Sequence, residues 1–148
     1  MIQTLTPAEE AIQRLVEVMV PDIAVVIGSA DGSLPLLIAE SCDIVIAQCL
    51  QIELEVIHQS LKRNNLVNVI PLAIPSLGIA QSLPDDYVDL VLLNLSPDEQ
   101  KYNFLLTHWT KKLRSNGSLV VPAQVRSVCE RFNLTSIAEN AGLILAKR

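Results

Sequence analysis

Aromatic side chains are scarce in this sequence. Phe, Trp and Tyr together make up 3% of its 148 residues. Half of the chain is apolar, so a core must be built from Leu, Ile, Val and Ala, and few rings remain for stacking on bases. Positive charge is also in the minority. Eleven Lys and Arg stand against sixteen Asp and Glu, for a net charge of −5. Proteins that grip nucleic acid by themselves usually carry a basic face, so this balance argues against autonomous RNA or DNA binding. RNA contact through a larger protein or partner stays open. The three cysteines, Cys42, Cys49 and Cys129, form neither a CxxC pair nor a Cys/His cluster. No metal site is expected from them, and their odd number reads as reduced thiols in the core of a cytoplasmic protein. No apolar run reaches the roughly 18 to 20 residues that cross a bilayer, so no membrane partner is expected. The opening MIQTLTPAEE is acidic and lacks targeting character.

What the sequence has is a regular alternation of short apolar runs and helical patterns. Its centre is the stretch from Ile23 to Glu40. The run Ile23 to Ile27 ends in Gly28-Ser29-Ala30-Asp31-Gly32-Ser33, and a second apolar segment starts at Leu34. This reads as strand, tight turn and helix, the opening unit of an α/β domain that binds a nucleotide or a methyl donor. Glycines at 28 and 32 permit backbone angles that side chains resist and let a ligand approach the main chain. Asp31 or Ser33 can cap the helix, and Pro35 suits its first turn.

The rest follows in order. Thr6-Pro7-Ala8-Glu9 has the spacing of a capping box, and opens a helix that Pro21-Asp22 closes. Asp43 to Gln48 reads as a strand buried on both faces. Leu50 to Arg63 has helical spacing, and Asn64-Asn65 ends it. Further strands are expected at Val67 to Pro71, Leu90 to Leu93, Ser118 to Ala123 and Gly142 to Ala146. Helices are expected at Glu99 to Leu113 and Val125 to Asn133, with a turn at Asn116-Gly117. Ala73 to Leu83 carries Pro75 and Gly78, and reads as a loop or a poor helix. The pattern predicts one domain over residues 1–148, with a three-layer, mainly parallel twisted sheet and helices on both faces. The domain can stand alone or form the N-terminal part of a longer protein.

Five landmarks resemble the class I S-adenosylmethionine-dependent methyltransferase fold: AVVIGSADG, DIVIAQ, the segment from Asn64 to Ile70, DYVDLVLLN and LRSNGSLVV. The resemblance implies a donor site made by Gly28, Ser29, Ala30 and Gly32 after the first strand, and by Gln48, or Gln51, after the second. It also implies an acceptor-site role for Asn94. Three positions depart from the family pattern. The leading acid of the donor turn is Val26 and its middle glycine is Ala30. The carboxylate that accepts hydrogen bonds from the donor ribose is a glutamine, which offers no anionic acceptor. In methyltransferases that act on exocyclic amino groups of bases, an Asn-Pro-Pro-aromatic motif follows the fourth strand. Here the chain reads Asn94-Leu95-Ser96-Pro97, and the next aromatic residue is Tyr102.

Together these departures resemble the N-terminal domain of two-domain ribosomal RNA guanine-N2 methyltransferases. That domain has lost donor binding and supports a C-terminal catalytic domain. The resemblance therefore implies weak or lost S-adenosylmethionine binding, a catalytic domain or protein as partner, and RNA contact only through that partner. Two alternatives stay open: a small active methyltransferase, and a nucleotide-binding or protein-interaction module of Rossmann type. Among the remaining polar residues, His58 reads as a helix-surface residue, and His108 with Trp109 as a helix-face pair. Asp89 matches a common family acid. Lys111, Lys112 and Arg114 form the only basic cluster.

Overall fold

The computed structural model describes residues 5–28, 32–77 and 83–148. Helix α1 (Pro7–Met19) starts as its sequence dictates. The Thr6 hydroxyl accepts from the Glu9 amide at 3.2 Å, and the Glu9 carboxylate accepts from the Thr6 amide at 2.9 Å. Strand β1 (Ile23–Ile27), helix α2 (Ser33–Ile38) and strand β2 (Ile44–Cys49) follow. Next come helix α3 (Leu54–Arg63), strand β3 (Val69–Ala73), strand β4 (Val88–Leu93) and helix α4 (Glu99–Lys112). The chain ends with strand β5 (Leu113–Pro122), helix α5 (Arg126–Arg131) and strands β6 (Thr135–Asn140) and β7 (Leu143–Lys147).

The seven strands form one sheet in the order β3-β2-β1-β4-β5-β7-β6. The first five strands run parallel, and β7 runs antiparallel to both β5 and β6. The antiparallel seventh strand separates this order from the parallel 3-2-1-4-5-6 order of dinucleotide-binding folds. In β1, Ala24 and Val26 face a layer of α1, α2 and α3, where Ile12, Val16, Leu34, Ile38, Ile57 and Leu61 are buried. Ile23, Val25 and Ile27 face the opposite layer, where α4 and α5 bury Tyr102, Leu105, Leu106, Trp109, Val128 and Cys129. The expected three-layer α/β architecture is therefore present. Burial of each large aliphatic side chain contributes roughly 1.5–3 kcal/mol, and β1 is buried along its whole length.

Several boundaries differ from the sequence expectation. β3 begins at Val69 rather than Val67. Val67 is exposed, and the Asn68 side-chain Nδ2 donates to the Ala39 and Cys42 carbonyls at 2.8 and 3.0 Å, tying the start of the strand to the end of the turn that precedes β2. The expected turn at Asn116-Gly117 lies inside β5. Val88 pairs with Leu113 and Leu90 with Ser118, so residues 114–117 loop out opposite Asp89. β6 was not expected at all. Its six residues are exposed, and it carries no apolar run to reveal it. Helix α2 is capped by Gly32 with no side-chain hydrogen bond, and Ser33 is its first residue. Asp31, the other expected cap, lies outside the described residues.

Candidate functional site

In parallel α/β sheets, ligands bind at the carboxyl ends of the strands. Register fixes which residues meet there. Ile27 pairs with Gln48 on one side and with Leu93 on the other. Gly28, Gln48 and Asn94 therefore share one edge, and Gly32 opens α2 just beyond it. Ser29 and Ala30 of the expected donor turn lie outside the described residues.

Gly28 has φ of +96°, in the region that favours glycine. It also has no room for a side chain. A Cβ at this position would fall 2.2 Å from the Asn94 carbonyl oxygen and 3.2 Å from Leu95 Cδ2. The close approach that this glycine permits is made by the protein's own chain. The Asn94 amide N–H donates to the Ile27 carbonyl at 2.9 Å, and its side-chain Nδ2 donates to the Gly28 carbonyl at 3.1 Å. Asn94 thus ties the end of β4 to the turn after β1. Gly32 has φ of +79°, and a Cβ there would meet Ile57 at an ordinary 3.7 Å. Its requirement is conformational rather than spatial.

Gln48 is 3% exposed, seated between Ile27 and Leu72 in the sheet. No buried side-chain nitrogen or oxygen among the described residues lacks a partner, so its amide is satisfied in place. Gln51 lies in an exposed 3-10 turn after β2. The nearest carboxylate in sequence is Glu53, which accepts from the Leu50 amide N–H at 2.8 Å. This acid caps the turn that leads into α3. Leu50 has no side-chain acceptor to return the bond, so only the glutamate half of a capping box is present. Cys49 is buried beside these groups. Burial, and secondarily the Glu53 charge, push its thiol above the ordinary range.

Tyr102 has a role that its position in the sequence did not disclose. It is fully buried, and its hydroxyl donates to the Leu95 carbonyl at 3.0 Å, with the Leu93 carbonyl at 3.3 Å. Burial raises its pKa from 10.0 to about 12, against a smaller lowering by the Leu95 carbonyl. The ring that follows Asn94 in sequence is therefore a post under the β4 turn. It presents no face on which a base could stack.

The other candidates lie elsewhere. The Asp89 carboxylate accepts from the Asp22 and Ile23 amides, each at 2.9 Å, and pairs with Arg114 at 3.1 Å. It clamps the amino ends of β1, β4 and β5, opposite the glycine turn. Lys112 pairs with Asp85 at 2.8 Å, and this holds the Asp85 carboxyl below its usual range. His58 is exposed on α3. His108 is exposed too, but its partner is Phe104, with ring centroids 4.8 Å apart. Trp109 points into the core. Among the described residues, no three His, Cys, Asp or Glu side chains gather as a metal site would require, and no helix is long and apolar enough to cross a membrane.

No protein-family model matches the chain, and no curated protein matches its sequence. Solved structures do match its fold. A methyltransferase from Geobacter sulfurreducens aligns with a TM-score of 0.76 at 19% identity, over 99% of this chain and 82% of that one. An rRNA methylase from Streptococcus thermophilus aligns with a TM-score of 0.70 at 14% identity, over 99% of both chains. A Streptococcus mutans protein in complex with S-adenosylhomocysteine (SAH) aligns with a TM-score of 0.67 at 11% identity, over 99% of this chain and 100% of that one. At such identities the likeness defines the fold, and that fold is the class I S-adenosylmethionine-dependent methyltransferase fold.

Proposed function

We propose that this chain is a methyltransferase-fold domain whose donor site has lost its function, and that it supports a catalytic partner. The partner it fits is the catalytic domain of a ribosomal RNA guanine-N2 methyltransferase. The observation that carries this reading is the end of β2. The group in the ribose-binding position is a buried Gln48, and the adjacent carboxylate, Glu53, is committed to the Leu50 amide. Losing one charged hydrogen bond weakens binding by roughly 1.5–3 kcal/mol, or about ten- to a hundredfold. Asn94 adds support. Its amide nitrogen is turned back onto Gly28, and the aromatic ring downstream is buried.

An active methyltransferase is the second reading. The end-to-end likeness to a protein solved with SAH favours it. A methyl-transfer assay with labelled donor separates the two. The supporting-domain reading predicts no transfer to ribosomal RNA by the chain alone. It also predicts increased transfer when the chain is added to a guanine-N2 catalytic domain. Transfer by the chain alone contradicts it.

A further inference from the structure

Helix α4 buries Tyr102, Leu105, Leu106 and Trp109 and turns another face to solvent. On that outer face Lys101, Phe104, His108 and Lys111 follow one another at steps of three, four and three residues. Such spacing aligns them in a single stripe along the helix. All four are exposed. Phe104 is 58% exposed, an unusual position for one of only two phenylalanines in the chain. Its ring meets His108 edge to face, at an interplanar angle of 68°. The two lysines flank this pair, ten residues and about 15 Å apart along the helix axis.

The charges around the stripe leave those lysines available. Asp85, at the carboxyl end of α4, is paired with Lys112, and Glu99, at its start, is paired with Arg131 at 3.5 Å. Asp98 caps the helix through the Lys101 amide at 2.9 Å. Among the described residues no carboxylate pairs with the ammonium of Lys101 or Lys111. The basic cluster seen in the sequence is thus divided: Lys112 and Arg114 are held in ion pairs, and Lys111 joins the exposed stripe.

We propose that this stripe is a contact surface for single-stranded RNA, with phosphates on Lys101 and Lys111 and a base against the Phe104–His108 pair. Alternation of cations with an exposed ring is how proteins hold single strands without sequence readout. An acidic peptide would satisfy the lysines but would make no stacking use of the rings. The net charge of −5 makes the contact weak and strongly salt-dependent. The stripe faces away from the sheet, so it acts independently of donor binding. The contact is direct, in addition to any that a partner makes.

The test is fluorescence anisotropy of a labelled oligouridine of about twelve nucleotides with the whole chain at low salt. Phe104→Ala is expected to weaken binding about tenfold. Lys101→Gln with Lys111→Gln is expected to lower the slope of log K against log salt by about 1.4, the share of two phosphate contacts on a single strand. These residues are exposed, and circular dichroism verifies that the variants fold. No binding by the unaltered chain, or binding that neither variant changes, overturns the proposal. So does a polyglutamate peptide that binds as tightly as the RNA.

Discussion

At the scale of single residues, the two glycines between β1 and α2 have different reasons to be glycine. Gly28 is constrained by both conformation and space, with the Asn94 carbonyl where a Cβ would lie. Gly32 is constrained by conformation alone. Gly32→Ala is therefore expected to cost about 1–2 kcal/mol, the usual left-handed penalty. Gly28→Ala is expected to cost more than that, because the β4 turn must also move. Urea denaturation of both variants measures the difference, and equal costs would contradict the role given to Asn94. Tyr102 makes a second residue-scale prediction. In the folded chain its hydroxyl stays protonated up to about pH 12, against 10.0 for the free group. The folded state then holds the extra proton, so stability is intact below about pH 10 and falls as pH rises towards 12. Cys42 and Cys129, whose pKa values burial raises from 9.0 to about 11, act in the same direction from about pH 9. Urea midpoints measured across this range should decline, and Tyr102→Phe should flatten the upper part. A midpoint independent of pH would contradict the burial of these groups. That residues 28, 48 and 94 close their strands was legible in the sequence, because each follows or ends an apolar run. Their partners were not, because a hydrogen bond from Asn94 to Gly28 joins positions 66 residues apart and no local pattern encodes it.

At the scale of elements, the parallel strands were readable because burial on both faces leaves a near-continuous apolar run. The β6–β7 hairpin lacked that signal. β6, with the sequence TSIAEN, is an exposed edge strand. It is defined by pairing with β7 rather than by its own composition. Its turn is also atypical. Asn140 pairs with Leu143 across Ala141-Gly142, both at positive φ of 53° and 79°. Two-residue hairpins of this kind favour Asn-Gly, and alanine pays a conformational penalty there. Ala141→Asn is expected to stabilise the domain by roughly 0.5–1 kcal/mol, since asparagine tolerates this conformation. A thermal unfolding midpoint raised by a few degrees would agree with it. A lowered one would show that the turn is not of this type. Pro71 lies within β3, where the opposite edge of the sheet spares it a ladder hydrogen bond.

At the scale of the whole molecule, two cores on either side of one sheet explain how the chain keeps a methyltransferase fold while its site residues differ. The apolar contacts that set strand order lie between Ile12 and Ala146 in sequence and run up to the last residues of the strands, Ile27, Cys49 and Leu93. The groups that would bind a donor lie at the ends of those strands, outside the apolar clusters. The same separation explains why the architecture was legible from hydrophobic pattern, whereas activity depends on a few polar atoms. The central claim is that the donor site has lost its function, and calorimetric titration of the folded chain with S-adenosylmethionine and SAH tests it most directly. The account predicts no heat of binding at ligand concentrations up to about 1 mM, a limit that corresponds to roughly 4 kcal/mol of binding free energy. Saturable binding in the micromolar range would contradict it, and would make Gly28, Gly32 and Gln48 parts of a working donor site.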